Sequence, residues 1–83
     1  MVNKIQDTID ELLVITSEEA GELVQACTKI LRHGTDKAKI NQLVEEVGDM
    51  QCMISLLVTH GIITQNDVVK RSEIKYNKLK KTT

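Results

Sequence analysis

Apolar positions along the chain fall into three runs with helical spacing. Ile5, Ile9, Leu12, Leu13, Ala20, Leu23, Val24, Cys27, Ile30 and Leu31 recur at the period that places side chains on one helix face. This stripe predicts one long helix from near the N-terminus to His33-Gly34. Thr16 and Glu19 stand at capping-box spacing, but the stripe stays in phase across them, so the helix is expected to be continuous or slightly kinked. Gly34 suits a helix end, and Thr35 or Asp36 can cap the next helix by accepting its first free N–H groups. A second stripe of Ile40, Leu43, Val44, Val47, Met50, Ile54, Leu57 and Val58 predicts a helix from about Lys37 to His60, closed by Gly61. Met53 and Leu56 widen that stripe beyond what one partner helix covers. Either another subunit or the third helix is expected to take up the surplus. Thr64 and Asp67 begin a weaker third pattern through Val68, Val69, Ile74 and Leu79, with residues 80–83 expected to fray.

Composition agrees with an all-α domain: the 83 residues include no proline, and Tyr76 is the single aromatic. We read residues 1–83 as one domain, built as an antiparallel helical hairpin plus a third C-terminal helix. A chain this short buries a modest share of its surface, which favours association into a four-helix-bundle-type oligomer. The net charge of -1 hides an uneven distribution, because residues 70–83 carry six of the eleven basic groups and one of the twelve acidic ones. An acidic body argues against nucleic acid as a partner, whereas the basic tail suits either a solvated helix end or an anion-binding element. Cys27 and Cys52 lack disulfide-framework spacing and are expected to be reduced core residues. With neither a secretory signal nor a run long enough to span a membrane, the expected setting is cytoplasmic.

Charge density makes the strongest signal. EEAGE at 18–22 returns as EEVGD at 45–49, so half of the acidic residues lie in two near-copies of one pattern. Like charges at i and i+4 destabilise a helix by a few tenths of a kcal/mol per pair, and a bound cation removes that penalty. The pair Glu19 and Glu22 and the pair Glu46 and Asp49 lie equally far on either side of the Gly34-Thr35 turn, so a hairpin sets them at one height. Four carboxylates converging from two helices suit one hard cation, Mg²⁺ or Mn²⁺ rather than zinc. The competing reading is a solvated charged face. Gly21 and Gly48 also share a height, and each costs about 1 kcal/mol relative to alanine, which points to close helix approach or to room for a ligand.

Glu19-Ala-Gly-Glu22 followed by Glu46-Val-Gly-Asp49, with LVQACTKILRHG at 23–34 and KYNKLKK at 75–81, resembles the MazG-like family of all-α nucleoside triphosphate pyrophosphohydrolases. The family signature is E-x-x-E followed by E-x-x-D, and the likeness covers nearly the whole chain from Glu18 onward. It implies a homo-oligomer, dimer or tetramer, that binds Mg²⁺ through Glu19, Glu22, Glu46 and Asp49. It also implies cleavage of nucleoside triphosphates to monophosphate and pyrophosphate. On that footing Glu18 and Glu19 are the candidate catalytic acids. Glu18 or Glu45 orients the attacking water or accepts its proton, or else is simply solvated. Lys75, Asn77 and Lys78 are candidate substrate contacts if the third helix folds back over the site, and exposed helix-end residues otherwise. Lys29 and Arg32 carry the same pair of readings. His33 and His60 end helices, which suggests capping rather than ligation.

Two other readings compete. A phosphoribosyl-ATP pyrophosphohydrolase shares the helical core and paired acids, but its usual Tyr-His segment is replaced here by Met-Gln-Cys-Met-Ile at 50–54. A non-catalytic helical oligomer that binds a cation accounts for the acids without a reaction.

Overall fold

The computed structural model describes residues 3–82, and helix α1 spans Lys4–His33, α2 Lys37–Thr59 and α3 Gln65–Thr82. Of residues 80–83, expected to fray, 80–82 continue α3 and Thr83 lies outside the described residues. Helix α1 starts where the Asn3 side-chain oxygen accepts from the N–H groups of Ile5 and Gln6, each at 3.1 Å. It runs unbroken through Thr16, whose hydroxyl donates to the Leu12 carbonyl at 2.6 Å and so leaves the backbone ladder intact. Gly34 ends it at φ +90°, its N–H donating to the Ile30 carbonyl at 2.8 Å.

Of the two candidate caps, Asp36 starts α2: its carboxylate accepts from the Lys39 N–H at 2.9 Å and pairs with the Lys39 ammonium. That side-chain bond, with the backbone one behind it, holds the Asp36 carboxyl below its ordinary value. At the far end Gly61 turns the chain at φ +74°, and the Ile62 N–H reaches the Leu57 carbonyl at 3.0 Å. The His60 ring caps as expected. Its Nδ1 lies 2.9 Å from the Leu56 carbonyl, which can only accept, so Nδ1 carries the proton. Thr64 Oγ1 accepts from the Asp67 N–H at 3.2 Å and starts α3.

Helices α1 and α2 pack as an antiparallel hairpin, while α3 packs along neither. The core sits at the open end of the hairpin, where Leu12, Met53 and Leu57 meet and Ile15, Leu56, Ile62 and Ile63 close around them. Met53 and Leu56, which widen the second stripe, are thus taken up by α1 and the α2–α3 turn. Ala26 is buried nearer the Gly34 turn, where a small side chain lets the helices approach.

Much of the rest of the stripes stays in the open. Leu31 is 84% exposed and Ile5 76%, and Val24, Val44, Val47, Val69 and Tyr76 are exposed as well. Cys27 and Cys52 are free thiols but not core residues, because both lie on exposed flanks of the hairpin. Close helix approach does not explain Gly21 and Gly48, since a Cβ at either would meet nothing within 4 Å. The molecule measures 51 × 30 × 15 Å with a radius of gyration of 15.9 Å, against about 12 Å for a compact chain of this length. Among the described residues, no helix is long and apolar enough to cross a membrane.

Candidate metal centre

The hairpin brings the two acidic pairs together. Glu19 and Glu22 on α1 and Glu46 and Asp49 on α2 each offer a carboxylate oxygen, and these oxygens lie within 4.8 Å of one another. Spacing of i, i+3 turns each pair to one side of its helix, and the equal distance from Gly34 sets the pairs level. The Leu12–Met53–Leu57 core on one side and Ala26 on the other hold the helices in register around them.

Burial distinguishes the four. Glu46 is 6% exposed, Glu19 is half-buried, and Glu22 and Asp49 are exposed. Glu46 Oε1 accepts from Gln42 Nε2 at 2.8 Å, whereas Oε2 of Glu46 and Oε2 of Glu19 are buried without a hydrogen-bond partner. A buried acceptor left unmatched is unfavourable, so two in one cluster need a cause.

Burial first, then the charges of Asp49 and Glu46, push the Glu19 carboxyl above its ordinary value. Glu22 is raised first by its contact with Glu46, where a proton on Glu22 makes a hydrogen bond, and then by the charges of Glu19 and Glu46. Two oxygens of the cluster thus have no protein donor, and two of its carboxyls are raised by their neighbours. Four carboxylates that each offer an oxygen to one point have the donor chemistry of a hard divalent cation site.

A narrow polar cleft of about 260 Å³ opens beside the cluster, lined by Glu22, Gln25, Ala26, Lys29, Gln42 and Glu46. Lys29 therefore stands near the carboxylates within the same chain. Glu18 and Glu45 are exposed and lie outside the converging four. Lys75, Asn77 and Lys78 are also placed apart, because α3 does not fold back along the hairpin. Lys75 instead lines an apolar cleft of about 600 Å³ with Ile62, Ile63 and Val68, and Asn77 a shallow one with Ser72, Glu73 and Tyr76. Gln42 and Gln25 escaped the sequence reading. The only signal for Gln42 is its position four residues before Glu46, a spacing shared by many helix-surface pairs.

The fold and site define an all-α hairpin with a four-carboxylate centre on its helix interface. No family model matches the chain, and neither does any curated protein or solved structure.

Proposed function

We propose that the protein is a Mg²⁺-dependent nucleotide pyrophosphohydrolase, with Mn²⁺ as an alternative ion, that converts nucleoside triphosphates to monophosphate and pyrophosphate. The observation that carries the cation is the convergence of Glu19, Glu22, Glu46 and Asp49 within 4.8 Å, with two buried oxygens lacking partners. The reaction is carried by the E-x-x-E and E-x-x-D pattern and its likeness to MazG-like enzymes.

When bound, Mg²⁺ neutralises phosphate charge and lowers the pKa of a water molecule. Glu19, Glu22, Glu46 and Asp49 would hold it, with Glu46 anchored by Gln42. Glu18, exposed next to Glu19, accepts the proton of the water that is added across the α–β anhydride. Lys29 lines the adjoining cleft and offers a point charge to a phosphate.

A homo-oligomer belongs to the same proposal. A slab 15 Å thick with exposed Val24, Leu31, Val44, Val69, Ile74 and Tyr76 leaves more apolar surface than one small hairpin core can take up. A second copy would cover it and would bring the basic α3 of one chain toward the acidic hairpin of the other, where Lys75, Asn77 and Lys78 reach substrate.

The test is incubation with a nucleotide panel and Mg²⁺. Pyrophosphate should appear, and Glu19→Gln or Asp49→Asn should abolish it; orthophosphate alone overturns the proposal. The second reading, a non-catalytic cation-binding oligomer, is favoured by the distance of α3 from the carboxylates within one chain. It gains if Mg²⁺ raises the melting temperature and nucleotides add nothing.

A further inference from the structure

We propose that Gln42 is a positioning residue that makes Glu46 a one-oxygen ligand and so biases the carboxylate cluster toward small octahedral cations over Ca²⁺. This inference rests on the cation-site reading of the same cluster. A glutamine four residues from a glutamate is an ordinary helix-surface pair, but this one ends on the buried charged side chain of the described residues. The amide must face Glu46 with its nitrogen, since its oxygen would meet a carboxylate oxygen with no proton between them. Gln42 Nε2 then occupies Oε1 at 2.8 Å and leaves Oε2, buried and unmatched, as the free donor.

Ion choice follows from that division. Ca²⁺ takes six to eight oxygens at about 2.3–2.6 Å and often binds a carboxylate through both, whereas Mg²⁺ and Mn²⁺ prefer six donors placed singly. A Glu46 with one lone pair of Oε1 taken by Gln42 favours binding through Oε2 alone, which suits the smaller ions and disfavours the bidentate mode open to Ca²⁺. Partners that hold a metal ligand in place typically alter affinity by about 10–100-fold when removed.

The experiment titrates Mn²⁺ and Ca²⁺ into the full chain by calorimetry, with Mn²⁺ electron paramagnetic resonance as a second readout. Wild type is compared with Gln42→Ala, Gln42→Met and Gln42→Lys. Gln42→Met keeps length and helix propensity, and Gln42→Lys keeps a donor for Oε1. The ratio of the Ca²⁺ to the Mn²⁺ Kd should fall by roughly tenfold in the Ala and Met variants and stay near the wild-type ratio in the Lys variant, even as added charge weakens both ions. Parallel weakening of both ions in Gln42→Ala and Gln42→Met, or no change, overturns the inference while leaving the cation site standing. No binding of either ion by wild type removes the cation site, and this inference with it.

Discussion

Glu46→Gln should move stability in opposite directions with and without cation, and both magnitudes follow from its surroundings. The introduced amide oxygen keeps the bond from Gln42 Nε2, and the introduced NH₂ takes the place of the unmatched Oε2 and faces Glu22, Glu19 and Asp49 as a donor. Relief of one buried unmatched acceptor is worth about 1–3 kcal/mol. A domain of this size shifts by about 4–8 °C per kcal/mol, so the cation-free variant should melt at least about 4 °C above wild type. With Mn²⁺ at roughly 100 times its Kd, wild type gains about 2.7 kcal/mol, or about 11–22 °C, and the variant should lose most of that gain. Circular dichroism melts at one fixed protein concentration, in chelator and in Mn²⁺, measure both. If the variant melts below wild type in chelator, Glu46 is a structural hydrogen-bonding residue and its Oε2 carries no penalty. A Mn²⁺ shift as large as that of wild type would instead remove Glu46 from the ligands.

The pH dependence has a definite sign: Glu19 and Glu22 are raised above the ordinary 4.5, so the folded chain holds protons that the unfolded chain has lost. Their contribution is full below 4.5 and fades as pH rises through the raised values. Cation-free melts should therefore decline from mildly acidic to neutral pH, and saturating Mn²⁺ should abolish the decline; a cation-free protein that gains stability over that window contradicts it. Gly21→Ala and Gly48→Ala should each add about 1 kcal/mol and about 4–8 °C, since no atom lies within 4 Å of the new Cβ. A fall in melting temperature would show that this space is filled in the assembled protein. Light scattering should give a multiple of the 9.3 kDa chain mass, and Val24→Glu with Val44→Glu should reduce it to the single-chain value; a wild-type monomer refutes the oligomer.

The hairpin was legible because its signals are local. Gly34 and Asp36 have the backbone chemistry of a helix end and a cap, and with the turn located, the heights of Glu19, Glu22, Glu46 and Asp49 follow from the rise of a helix alone. The exposure of Cys27 and Leu31 was not legible, because a stripe tells which face is apolar and not what covers it. Helix α3 shows the same limit: its pattern and Thr64 cap predict a helix, but its direction depends on the Gly61 turn and on contacts outside any one helix. Within the site, nothing in EEVGD separates buried Glu46 from exposed Glu45. That difference comes from one step of rotation about α2, which turns Glu46 toward α1 and Glu45 toward solvent.

The placement of the carboxylates ties the site to the fold. Along α1, the core contact at Leu12, the acids at Glu19 and Glu22, buried Ala26 and the Gly34 turn come in order, so the repulsive segment lies between two attractive ones on a single interface. The segment cannot be relieved by splaying one end of the hairpin, because Leu12, Met53 and Leu57 hold the open end and the short connection holds the other. Within the cluster, a proton or a cation would relieve it. The raised carboxyls of Glu19 and Glu22 favour the proton. A divalent ion bound there would compete for the same oxygens, so binding should release protons and tighten the middle of the hairpin together. Calorimetry of Mn²⁺ binding in two buffers of different ionisation enthalpy should give different apparent enthalpies; equal values mean that no proton leaves, and the cluster is then ionised before the ion arrives.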